Sequence, residues 1–203
     1  MKEMNFEAWK KYIDFNAHLP VEITPPDMQP KIDVHLSKIP TECDFILDLG
    51  AGDGYAAGEL LKKNKQVVAV SINPKEVDYM KHNGINAVIE DMHILSFTDN
   101  YFDCVYMRQV FEHSLAPFVV LSEISRVLKP KGYLMLIVPP EIDICLSNST
   151  SVYLHNSASK HYSVLTEIQL KTLWEKVGFI LRNKWVLITP HGTDVAYLLR
   201  KEN

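Results

Sequence analysis

The chain is poor in cysteine: three in 203 residues, Cys43, Cys104 and Cys145. They are far apart, odd in number and never in a Cys-x-x-Cys pair, which argues against a disulfide framework or a zinc knuckle and fits a reducing cytoplasm. Long apolar runs are also missing. The opening stretch, MKEMNFEAWKKYIDF, is charged from the start and reads as neither a signal peptide nor a membrane span. Positive charge is not in excess either: 21 Lys and Arg stand against 25 Asp and Glu, a net charge of −4. That balance offers no electrostatic footprint for nucleic acid. The local basic clusters, Lys62-Lys63 and Lys129 with Lys131, fall at expected helix ends, where cations meet the helix dipole favourably. The histidines form no i, i+4 pair and no acids cluster at metal-ligand spacing, so no metal is expected.

What remains is ordinary globular composition, 47% hydrophobic and 23% charged, enough for one domain with a sizeable core. Short apolar runs read as strands at FILDL (45–49), QVVAV (66–70), INAVIE (85–90), FDCVYM (102–107) and YLMLIVPP (133–140). Helical patterns separate them. Residues 55–63 carry Ala56, Ala57, Leu60 and Leu61. Asn73 caps the next helix, with Pro74 at its first position and Glu76 three residues after the cap. Residues 118–129 place Val120, Leu121, Ile124, Val127 and Leu128 on one face before Pro130. This alternation predicts an α/β domain with a mainly parallel sheet.

The last third differs. Residues 141–161 form a polar loop longer than a connection needs. A helix is expected from Thr166, with Gln169 completing a capping box, a stripe of Leu170, Leu173, Trp174 and Val177, and Gly178 as its stop. FILRNKWVLI and TDVAYLLRK flank the turn TPHG and predict an antiparallel hairpin closing the sheet. At the front, Phe6, Trp9 and Ile13 make a helical stripe ahead of a Pro-rich link at 20–30.

The chain has eight glycines, and three of them, Gly50, Gly52 and Gly54, stand within five residues after the first strand. Such a turn lets backbone approach a ligand closely. The spacing is G-x-G-x-G, not the dinucleotide G-x-G-x-x-G. The successive segments LDLGAGDG, VVAVSINP, EDMHILSFTDNYFDCVYMRQVFEH and EISRVLKPKGYLMLIVP resemble the ordered motifs of class I S-adenosylmethionine-dependent methyltransferases, in the small-molecule (type 11-like) branch. The resemblance covers roughly residues 41–139. It implies a Rossmann-like fold: a mainly parallel seven-stranded sheet, helices on both faces and a C-terminal antiparallel hairpin. A single domain over 1–203 then divides into an N-terminal helical lid segment (1–40), a cofactor-binding half (41–139) and a substrate-side half (140–203).

S-adenosyl-L-methionine is the implied cofactor. The resemblance assigns Asp48, Gly50, Ala51, Gly52 and Gly54 to its methionyl and ribosyl part, Asp91 and Met92 to its adenine, and Arg108 with Gln109 to the region of the reacting methyl. Asp48 read from chemistry agrees, since a carboxylate at the end of a buried strand needs partners; fixing the loop's own N–H groups is the alternative. The Glu112-His113 pair matches a family pair that is mostly architectural. One position departs from the pattern. Ser71, followed by Ile72, stands where the family has an acid that bonds both ribose hydroxyls, and a serine offers one good bond where a carboxylate accepts two. Asn73 would substitute only in part, because it caps a helix.

The polar loop holds His155, His161 and Tyr162, and the last two are the candidate catalytic residues, as bases toward a hydroxyl acceptor; solvated loop residues are the alternative. The motif after the fourth strand, MRQV, lacks the Asn/Asp-Pro-Pro-aromatic sequence of nucleic-acid amine methylation. The leading expectation is methyl transfer to a small molecule at oxygen or nitrogen by a cytoplasmic monomer or homodimer, with no nucleic-acid or membrane partner. A non-catalytic cofactor-binding protein of the same fold is the second reading, motivated by Ser71. A nicotinamide oxidoreductase is the third, and it lacks both its third glycine and its ribose acid.

Overall fold

A computed structural model describes residues 7–140, 161–163, 165–190 and 192–203. The parallel core is β1 (Phe45–Leu49), β2 (Gln66–Ser71), β3 (Ala87–Ile89), β4 (Phe102–Arg108) and β5 (Leu128–Val138). The antiparallel pair β6 (Phe179–Thr189) and β7 (Gly192–Lys201) follows. The order across the sheet is β3-β2-β1-β4-β5-β7-β6, so β7 inserts between β5 and its own hairpin partner. Helices α1 (Glu7–Ala17), α2 (Gln29–Leu36), α3 (Tyr55–Lys62), α4 (Pro74–His82), α5 (Pro117–Val127) and α6 (Glu167–Lys176), with a short 3-10 helix at Phe111–His113, complete the described elements. None of them is long and apolar enough to cross a membrane.

Strand residues alternate between two cores, because successive side chains point to opposite faces. Leu47, Val68, Val105 and Leu134 join Val120, Leu121 and Ile124 of α5 and Leu170 and Trp174 of α6. Ile46, Ala69, Cys104 and Met135 join Ile32 and Leu36 of α2, Ala57 and Leu60 of α3, and Val77 and Met80 of α4. Burial on both faces is why these strands read as unbroken apolar runs.

The expected hairpin is present, and so is the Thr166–Gln169 capping box. Three details differ from the sequence reading. The third strand is three residues long, not six. The helix expected over 118–129 yields to strand at Leu128, because Pro130 disfavours helical backbone at the residue before it. Helix α2 was not anticipated within and beyond the Pro-rich link; Pro30 suits its first turn, and two of its buried residues, Lys31 and His35, are not apolar, which weakens its pattern. Of the N-terminal stripe, Ile13 packs partly buried against the α5-side core, the Trp9 ring stands against His93, and Phe6 falls outside the described residues.

Candidate active site

The site grows from the carboxyl ends of β1 and β4. Asp48 and Tyr106 sit in register across the β1–β4 pairing, and Arg108 lies two residues further along β4 on the same face. Between β1 and α3 the glycine turn carries positive φ at Gly50, Gly52 and Gly54. A side chain at Gly50 would collide with Val110, whereas one at Gly52 would meet nothing within 4 Å. Gly50 is therefore demanded by packing, and Gly52 leaves open space at the cavity wall.

That wall encloses a cavity of about 810 Å³. Asp48, Gly50, Ala51, Gly52, Asp53, Glu76, Tyr106, Arg108, Gln109, Val110 and His113 line one side. Leu19, Pro20, Glu22, Ile23, Thr24, Pro25 and Met28 line the other. This second wall is strapped down by polar bonds: the Thr24 N–H and hydroxyl donate to Asp53 at 2.6 and 2.7 Å, and the Asn73 amide donates to the Leu19 carbonyl at 2.9 Å.

Three polar atoms of cavity-lining residues make no hydrogen bond within the chain. Asp48 Oδ2 and the Tyr106 hydroxyl are buried without a hydrogen bond, and so is Arg108 Nε, which stands 3.4 Å from Asp194. Burial pushes the Asp48 carboxyl up to about 7; the Ala57 N–H opposes that rise and Asp53 adds to it. Asp194 of β7 is buried and collects three donors, two from α2 and one from the end of β4. Lys31 Nζ lies 2.8 Å away, His35 Nε2 3.0 Å and Gln109 Nε2 2.9 Å. Burial raises its carboxyl and these bonds, with Arg108, more than reverse that, holding it below the ordinary value. Gln109 takes a left-handed φ of 54° at the end of β4, a strained conformation held by that bond and by its N–H to the Ile137 carbonyl.

Of the ten residues assigned to the cofactor from sequence, Asp48, Gly50, Ala51, Gly52 and Arg108 line this cavity, and Gly54, Ser71, Ile72, Asp91 and Met92 do not. Gly54 starts α3 and packs on Met80 and Ile85. Asp91 Oδ1 accepts from the His93 N–H and ring, His93 Nε2 lies 2.8 Å from Ser114 Oγ, and the Trp9 ring stands 4.4 Å from that imidazole. This Asp–His–Ser chain has the makings of a nucleophilic triad, but Ser114 is wholly buried and accepts from the Ala116 N–H, so it braces the fold.

The two catalytic candidates also lie off the cavity. Tyr162 is exposed, with its ring 5.8 Å from that of Tyr12. His161 is half-buried behind His113, ring centroids 5.0 Å apart, because Ser163 bonds the Glu112 and Ser114 carbonyls. Burial and His113 push its imidazole down to about 4. His155 lies outside the described residues. Among the described residues, Glu112, His113 and His161 are the one group whose ligand atoms converge, within 4.8 Å of one another. Burial pushes Glu112 up to about 8, so at neutral pH it keeps a proton that a cation would first have to displace. The sequence reading gave no site role to Tyr106, which lies within the fourth-strand motif, to Glu76, read only with the Asn73 cap, or to the 19–28 wall, which only the fold carries across the glycine turn.

Residues 47–136 match the model of a family described as a methyltransferase domain. A glycine/sarcosine/dimethylglycine N-methyltransferase of Actinopolyspora halophila is 34% identical over 113 residues, 51% of this chain and 20% of that protein. A ubiquinone biosynthesis O-methyltransferase of Xanthomonas oryzae pv. oryzae is 28% identical over 98 residues, 45% of this chain and 41% of that protein. The matched stretches thus span less than half the length of these curated relatives. Among solved structures, a chain of the complex between the Haloferax volcanii Trm112 methyltransferase activator and a methyltransferase superposes with a TM-score of 0.73 at 17% identity, covering 98% of this chain and 96% of that one. Residues 47–136 thus match a methyltransferase domain, and the chain has the fold of solved S-adenosylmethionine-dependent methyltransferases.

Proposed function

We propose that the protein transfers a methyl group from S-adenosylmethionine to a small-molecule acceptor at oxygen or nitrogen, and that the cavity between the glycine turn and residues 19–28 holds the cofactor. The observation that carries this reading is the buried Asp48 Oδ2 without a hydrogen bond, on the wall of one cavity that also holds Arg108 and the open backbone of Gly52. A zwitterionic amino-acid end suits this wall: its ammonium completes Asp48 and its carboxylate meets the Arg108 guanidinium. When bound, the sulfonium supplies an already activated methyl group, so no covalent nucleophile is required of the protein. The chain's work is to align the acceptor and exclude water, and the apolar wall of Ile23, Pro25 and Met28 serves the second purpose.

His113 is the imidazole on the cavity wall and the best-placed group to take a proton from a hydroxyl or ammonium acceptor. His161, neutral at pH 7, backs it at ring distance. The two curated relatives act at nitrogen and at oxygen by their names, and both acceptor atoms remain in the proposal.

Calorimetric titration with S-adenosylmethionine, S-adenosylhomocysteine and NAD tests the cofactor site, and transfer of isotopically labelled methyl to a panel of small amines, amino acids and phenols tests the acceptor. Micromolar binding of both sulfur nucleosides and none of NAD is expected. Absence of binding by either sulfur nucleoside would overturn the reading. A second reading, a non-catalytic or partner-dependent protein of the same fold, is favoured by Ser71 at the ribose position; tight cofactor binding with no transfer to any acceptor would support it.

A further inference from the structure

If the cavity binds this nucleoside, the ribose end needs an acid that β2 does not supply. Ser71 ends β2 buried, with its hydroxyl fully engaged: it donates to Glu76 Oε2 at 2.5 Å and accepts from the Asn73 N–H at 3.0 Å. Its single proton is spent, so it has nothing to donate to a diol. Glu76 stands in the first turn of α4, half-buried, and its side chain, unlike that of Ser71, lines the cavity beside Gly52 and Asp53. The other acids there are less suited. Asp53 accepts on both oxygens from Thr24, and again from the Tyr55 N–H, while Glu22 is exposed on the opposite wall. Asp48 belongs to the amino-acid end.

We infer that Glu76 accepts the ribose hydroxyls of the bound nucleoside, with Ser71 acting as the positioning residue that orients its carboxylate. The inference rests on the cofactor assignment proposed above. A carboxylate offers about four lone-pair sites, and Ser71 and Asn73 use two, which leaves capacity for two hydroxyl donors. Burial raises the Glu76 carboxyl, and the bonds from Ser71 and Asn73 oppose that rise, as does its place in the first turn of α4. The acid that most members of the resembled family carry at the strand end is thus moved one helical turn onward, and the serine in its old place becomes its support. The same arrangement repels a 2′-phosphate, so the site selects a free diol.

The experiment measures dissociation constants of S-adenosylhomocysteine and its 2′-deoxy analogue for wild type, Glu76→Gln, Ser71→Asp and the double variant Ser71→Asp/Glu76→Ala, with thermal unfolding as the check on folding. Glu76→Gln is expected to weaken S-adenosylhomocysteine by about tenfold or more, the worth of a charge-assisted bond over a neutral one. The 2′-deoxy analogue should bind weakly to wild type and lose far less on the same substitution. Ser71→Asp alone sets two carboxylates at hydrogen-bonding distance and should weaken binding, and the double variant should restore it. Tight wild-type binding that Glu76→Gln leaves unchanged, or that Ser71→Asp alone improves, would refute the inference and spare the cofactor assignment. No binding of S-adenosylhomocysteine at all would remove both.

Discussion

Replacing Asp48 by asparagine should move stability and cofactor binding in opposite directions. Asp48 is 2% exposed, and its carboxyl is pushed from an ordinary 3.8 to about 7, chiefly by burial. A folded-state value above the unfolded one means that the folded chain binds more protons between those pH values. Stability without ligand therefore falls as pH rises from about 4 to 7, and the loss is complete above 7. That gap corresponds to roughly 4 kcal/mol as an upper bound on the cost of holding this carboxylate ionised without ligand. A side-chain amide carries no charge, so Asp48→Asn should stabilise the ligand-free protein at pH 8 by about 1–3 kcal/mol, after allowing for the ordinary penalty of an altered buried polar group. Binding should suffer, because the ammonium loses a charge-assisted bond worth about 1.5–3 kcal/mol, or roughly ten- to a hundredfold in affinity. Wild-type affinity for S-adenosylhomocysteine should itself rise with pH toward 7, approaching about tenfold per pH unit, with one proton released on binding. Urea unfolding at pH 5 and pH 8, with calorimetry in buffers of different ionisation enthalpy, reads all three effects. A variant that is less stable without ligand at pH 8 and binds the nucleoside normally would refute the argument and return Asp48 to bracing its own loop.

Gly52→Ala should cost about 1–2 kcal/mol from its left-handed backbone, since its new Cβ meets nothing in the chain, yet weaken S-adenosylhomocysteine by more than about tenfold as it narrows the cavity wall; unchanged affinity would place the nucleoside elsewhere. Asp194→Asn should destabilise by about 3–5 kcal/mol in urea unfolding, because Lys31 would remain buried without its counter-charge. Since the Asp194 carboxyl is held below its ordinary value, the wild-type share of that stability is present above pH 4 and lost as pH falls through its folded value. His113→Ala should lower kcat by about a hundredfold or more with cofactor affinity intact, and His161→Ala should act less strongly; the reverse ranking would restore His161 as the base.

How much was legible in advance follows from how local each signal is. The strand–helix alternation, the hairpin and the Thr166 cap are written in residues within a few positions of one another, and the apolar runs appeared unbroken because the sheet is covered on both faces. The glycine turn and Asp48 were legible for the same reason, as was the anomaly at Ser71. Helix α2 was not, since its buried Lys31 and His35 make sense only beside Asp194, a residue of the last strand.

By itself, then, the sequence determined the order of elements and the position of the glycine turn that lines the cavity. The tertiary structure alone decided which polar groups share one cavity. It set residues 19–28 against the glycine turn, packed Trp9 against His93, the partner of Asp91, and put Glu76 on the cavity wall in contact with Ser71. The physical reason is that a lone pair left without a partner is a property of everything packed around it, and no stretch of chain shorter than the fold records that.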